Sequence, residues 1–110
     1  MSITLYGLKN CDTCKKALKA LDSAGRAVTF VDIRADADLA SQVPGWLAAV
    51  GADVLINRRS TTWRNLTEAE REQDPAPLLI AHPTLIKRPV MVQDKTIFVG
   101  WSKAAQAALL

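Results

Sequence analysis

Cys11 and Cys14 are the only cysteines of the chain and stand two residues apart in the stretch LKNCDTCKKALKAL, Leu8 to Leu21. A pair at this spacing can be a nucleophilic thiol with a partner, half of a metal site, or two small apolar residues on a helix. Zinc needs four ligands in a closed site. No second C-x-x-C exists and the single histidine is His82, so no metal is expected. Cys14, Ala17, Leu18, Leu21 and Ala24 fall at helical spacing on one face, so the helix begins just after Cys11. A thiol at or beside the N-cap meets free backbone N–H groups and the positive helix end, which stabilise its thiolate. Such thiols can drop from about 8.5 to roughly 3.5–7. Lys9, Lys15 and Lys16 add positive charge and Asp12 opposes it. Cys11 is therefore the expected nucleophile. Cys14 sits one turn further along on the apolar face. It can close onto Cys11 as a resolving thiol, or serve as a small hydrophobe in the core.

The remaining candidates are basic. Arg58, Arg59 and Arg64 lie in NRRSTTWR, and Lys87 and Arg88 in IKRP. They form either a solvated face or the surroundings of an anionic ligand. His82 ends a helical run before Pro83, where its imidazole can bond the last carbonyls, a capping role preferred here to catalysis. Trp63 and Trp101 are read as packing residues.

Elements that position these residues follow from the same patterns. Ile3, Leu5 and Tyr6 form a short strand stopped by Gly7. The Cys14 helix follows, with Gly25 at its C-terminal end. Ala27–Ile33 is a second strand, closing a right-handed βαβ unit. Asp38 can cap a helix carrying Leu39, Val43, Trp46, Leu47 and Val50, which Pro44 must kink or divide and Gly51 ends. ADVLIN reads as a turn of helix, and TEAE, Thr67–Glu70, as a capping box. APLLIAH is a short helix stopped by Pro83. Val90–Val92 and Ile97–Val99 form a hairpin around Gln93–Lys95, and Ser102 caps a last helix. The order β-α-β, helices, β-β-α describes an α/β fold.

With 110 residues the chain is one small domain. It should bury about two-thirds of the surface its unfolded form exposes. At 49% apolar and 23% charged residues it has the composition of a globular protein. A net charge of +3 is too small to indicate direct nucleic-acid binding. No apolar run approaches the roughly 20 residues that span a bilayer, and MSITLYG lacks the pattern of a secretory leader. A cytoplasmic protein is expected, where a permanent disulfide has no place.

Several motifs carry a resemblance to a known family. YGLKNCDTCKKAL, NRRSTTWRNL, HPTLIKRPVMV and FVGWS together resemble the arsenate reductase (ArsC)-related family, in particular its short Spx/YffB-like branch, over nearly the whole chain. The resemblance implies a thioredoxin-like fold spanning residues 1–110 with an all-helical insertion at about 36–83. It makes Cys11 the nucleophile, Arg88 an oxyanion-holding arginine, and Pro89 the cis-proline beside the active thiol. It implies a glutathione-linked thiol oxidoreductase with no bound cofactor and glutathione as co-substrate. Cys14 or glutathione would resolve the intermediate, with Arg88, Arg59 and Lys15 binding an anionic group. A monomer is expected. Two alternatives stay open: a redox-sensing regulator that, like the Spx proteins, binds the RNA polymerase α-subunit, and an arsenate reductase. For the last, Asn57 stands where the arsenate reductases carry an arginine, and FVGW offers no basic residue before Lys103. Losing that charge disfavours a desolvated dianion as substrate.

Overall fold

The computed structural model describes residues 2–110. Its contacts divide the chain into two compact units: residues up to Ala37 with Arg88–Leu110, and Asp38–Lys87.

The first unit is built on strand β1, Ile3–Gly7, whose residues alternate between buried and half-buried positions. β1 pairs in parallel with β2, Val28–Asp32, in the register Leu5 opposite Phe30. On its other edge it pairs antiparallel with β3, Val90–Gln93, with Leu5 opposite Met91. A tight turn through Asp94, at φ 55°, leads from β3 into the antiparallel β4, Thr96–Val99. The sheet order is β2-β1-β3-β4. β2 is shorter than the seven-residue run suggested: Ile33 leaves the ladder but stays buried, and its N–H donates to the Gly7 carbonyl at 2.9 Å. The Asp32 carboxylate accepts from the N–H groups of Arg34 and Ala35, turning the chain there.

Helix α1, Asp12–Ser23, buries Cys14, Ala17 and Leu21. Ala17 and Leu21 join Ile3, Leu5, Met91, Ala105 and Leu109 in one apolar cluster. The last two come from the C-terminal helix Lys103–Leu109, capped by Ser102 Oγ accepting from Ala105 N–H at 3.1 Å. Gly25 lies one residue beyond the C-cap of α1 at φ 75°, the conformation that glycine adopts without steric penalty. Its N–H bonds the Asp22 carbonyl and the Arg26 N–H bonds that of Leu21, closing a Schellman motif.

The second unit is helical: α2 Leu39–Val50, α3 Ala52–Leu55, α4 Thr61–Asn65, α5 Glu68–Arg71 and α6 Pro75–Ala81, then a 3-10 turn at Pro83–Leu85. Asp38 caps α2 through Ser41. Of the two outcomes the sequence left open at Pro44, a kink or a division, the helix is not divided: α2 runs continuously from Leu39 to Val50 with the proline ring exposed. Buried Leu39, Val43 and Trp46 flank the proline and keep the helix on its apolar face despite the missing N–H. The capping box at Thr67 and Glu70 is complete on both sides. His82 departs from its expected capping role. Its Nε2 faces Glu70 Oε2 at 3.7 Å, because the box brings that carboxylate beside the end of α6. Trp63 packs beneath two guanidiniums, those of Arg58 and Arg71, at 5.5 and 5.3 Å. Trp101, in the first unit, packs against the apolar cluster.

Candidate active site

The site is assembled at the end of β1. The loop after Gly7 delivers Cys11 as the N-cap of α1, with extended φ −93° and ψ 119°. The Cys11 N–H donates to the Leu8 carbonyl at 3.2 Å, and its own carbonyl accepts from Lys15 N–H at 2.9 Å. The residue is thus locked by backbone bonds while its half-buried side chain is left for chemistry.

Burial works against ionisation of Cys11, yet its pKa lies below the ordinary 9.0. The N–H of Cys14, the thiol of Cys14 and the guanidinium of Arg88 outweigh the burial, Arg88 acting both as a hydrogen-bond donor and as a charge. The thiol does not complete a capping hydrogen bond of ordinary geometry, so the Cys14 N–H acts mainly through its dipole. Helix start and arginine act on the same sulfur.

Cys14 is the opposite case. Its side chain is fully buried, and burial pushes the thiol up to about 11. The Leu8 N–H pulls the other way, while the hydrogen bond to Cys11 and its charge add to the rise. Two adjacent thiols therefore ionise far apart, and Cys11 loses its proton first. Both are free.

The depth of Cys14 depends on Gly7. A Cβ at position 7 would lie 2.6 Å from Cys14 Sγ. This residue reads in the sequence only as the end of a strand; a glycine between the strand and the C-x-x-C loop is the available signal, because a backbone without Cβ admits a close approach.

Arg88 arrives from the far end of the chain. It precedes Pro89 through a cis peptide bond, and Val90, the next residue, pairs with Tyr6 of β1. The Pro89 carbonyl accepts from Gly100 N–H at 2.8 Å, tying the loop to the end of β4. Arg88 is half-buried, with its Nε out of contact with solvent, and Pro89 is buried. The structure thus brings together Cys11, Cys14, Arg88 and Pro89. Lys15 follows on the exposed surface of α1. Arg59 belongs to the helical unit, where it lines a cavity with Arg58 and Lys87. Among the described residues no cluster of His, Cys, Asp or Glu could hold a metal ion, and no helix is long and apolar enough to cross a membrane.

Residues 6–109 match the model of the ArsC family. The chain belongs to the ArsC family. An uncharacterised protein of Haemophilus influenzae is 42% identical over 111 residues, which cover 96% of this chain and 97% of that one. The solved structure of a protein named YffB is 36% identical, superposes with a TM-score of 0.90, and is matched over 99% of this chain and all of the other. An arsenate reductase (ArsC)-related protein from Brucella melitensis, solved in solution, is 39% identical with a TM-score of 0.78 over 98% of this chain and 93% of its own. At greater distance, the global transcriptional regulator Spx of Bacillus subtilis is 28% identical over 92% of this chain and 81% of its length. These structures share the arrangement described above, and the fold of this ArsC-family chain is thioredoxin-like, with the arsenate-reductase-like form of that fold.

Proposed function

We propose that this protein is a glutathione-linked thiol–disulfide oxidoreductase with Cys11 as its nucleophile. The observation that carries the reading is the split between the two thiols: Cys11 acidified beside Arg88, Cys14 buried and held up at about 11. The Cys11 thiolate attacks one sulfur of a mixed disulfide between glutathione and a substrate thiol. The S–S bond breaks, the substrate leaves as its thiolate and takes a proton from solvent, and Cys11 is left bonded to glutathione. A second glutathione thiolate attacks that bond, releasing oxidised glutathione and returning the Cys11 thiolate. Glutathione is the two-electron donor over the cycle. Cys14 is the poorer resolving group, since burial keeps its thiol protonated at pH 7. Arg88 has the charge and placement to hold a carboxylate of glutathione next to the reacting sulfur. Lys15 lies one turn along the same helix, and Arg59 is a further candidate in the helical unit.

Glutathione-dependent reduction of a small mixed disulfide tests this. Cys11→Ser should abolish turnover and Cys14→Ser should leave most of it. Turnover that survives Cys11→Ser, or is absent from the unaltered protein, refutes the reading. The second reading is a redox-responsive regulator that binds the RNA polymerase α-subunit; the similarity to Spx supports it. In that case Cys11 oxidises without catalysing, and oxidation strengthens a complex with the polymerase subunit. Arsenate reduction draws support from the similarity to the Brucella protein. Asn57→Arg should then raise arsenate turnover sharply.

A further inference from the structure

The helical unit contains a cavity of about 610 Å³. It is lined by Arg58, Arg59, Lys87, Asn57 and Asp53, against an apolar wall from Val54 and Ile56. This volume suits a ligand well beyond the size of a simple inorganic ion.

Its charges are arranged unequally. Arg58 is held from two sides: its Nη1 meets Asp53 Oδ1 at 3.1 Å, and its guanidinium lies over the Trp63 ring. Asp53 is 95% exposed, so this ion pair is weak and easily exchanged for another anion. Among the described residues Arg59 and Lys87 form no ion pair, yet their backbones are fixed. Asn57 Oδ1 accepts from the Arg59 N–H at 3.1 Å, and the Lys87 N–H donates to the Leu55 carbonyl at 2.8 Å. The second bond flanks the bridge between Ile56 and Ile86, so the two cations project from paired, rigid segments. Three cations against one carboxylate leave an excess that a dianion neutralises. Val54, 46% exposed, is one of the few large apolar side chains left open to solvent, and it borders this charge.

We infer that this cavity is a binding site for a small aliphatic dicarboxylate. One carboxylate pairs with Arg59 and Lys87, the other displaces Asp53 from Arg58, and the connecting chain lies on Val54 and Ile56. The site shares Arg59 with the anion-binding candidates of the oxidoreductase reading. Binding and turnover are measured separately, so the failure of one is distinguishable from the failure of the other.

Glutarate titrated into the full-length ¹⁵N-labelled protein, read by amide chemical shifts, tests the inference. Saturable shifts at residues 53–59 and 87 are expected, unchanged in Cys11→Ser. The double variant Arg59→Gln/Lys87→Gln, altered at two exposed positions that its spectrum will show to be folded, should bind at least about tenfold more weakly. Asp53→Asn should tighten binding by freeing Arg58. Glutaramate, the monoamide with one charge fewer, should bind severalfold more weakly than glutarate. Shifts that do not saturate, that persist in the double variant, or that glutaramate or inorganic phosphate reproduces at equal strength would overturn the proposal, since they mark general attraction of anions to a basic surface.

Discussion

Replacing Gly7 by alanine probes how the site is packed. β1 backbone is extended at this position, and alanine in a strand interior should by itself add stability, by up to about 1 kcal/mol through the lost freedom of the unfolded chain. The new methyl would stand 2.6 Å from Cys14 Sγ and 3.3 Å from Leu5 Cδ2. The first distance is roughly 0.8 Å inside ordinary van der Waals contact, and Cys14 sits on a helix that cannot retreat without disturbing Ala17 and Leu21. Overpacking of this kind costs about 1–3 kcal/mol. Gly7→Ala should therefore destabilise the protein, whereas the same change in a Cys14→Ala background, where the sulfur is gone, should be neutral or stabilising. Urea denaturation of the four proteins gives the coupling directly, expected at about 1–3 kcal/mol. Effects that add within about 0.5 kcal/mol would refute the packing argument, because residues in contact must couple.

Two further predictions concern the thiols. Iodoacetamide should alkylate Cys11 well before Cys14, with a rate that climbs as the pH rises through a Cys11 pKa below 9.0; Arg88→Gln should move that climb to higher pH, and Arg88→Lys should move it less. The stability profile has its own sign: Cys14 keeps its proton in the folded state up to about 11 but ionises near 9.0 when unfolded. Its contribution is then complete below pH 9 and lost as the pH rises through 11. A Cys11→Ser background removes both the opposite-signed contribution of the acidified thiol and the part of the rise that Cys11 supplies, but burial still holds the Cys14 thiol up. Alkaline denaturation in that background should show stability falling from about pH 9 upward, and Cys14→Ala should flatten it.

The architecture was legible where local chemistry decides it. The helical spacing from Cys14 placed Cys11 at the N-cap, Thr67 and Glu70 announced their capping box, and Gly25 and Gly51 marked chain reversals at positive φ. Readings were narrowed or failed where tertiary contacts intervened. Pro44 carries a strong local penalty, but Val43 and Trp46 beside it are buried and hold α2 together. His82 turned from the carbonyls of its own helix to a carboxylate on α5, a contact set by how two helices pack. At the site, the lysines near Cys11 suggested themselves as its electrostatic partners because they are close in sequence. The cation that stabilises its thiolate is Arg88, placed by the pairing of β3 with β1, which spacing alone does not reveal. Gly7 escaped notice for the same reason, since its constraint comes from a sulfur across a loop.

β1 and α1 precede the helical unit, while β3 and Arg88 follow it. On the ribosome, both cysteines are therefore made long before the arginine that sharpens one of them. A nascent chain that ends before residue 88 has the helix start but not the guanidinium, and its Cys11 lacks one of the groups that favour the thiolate. Full acidity of the thiol comes only when β3 has zipped onto β1. The electrostatic support of the Cys11 thiolate is thus assembled from two parts of the chain made at different times.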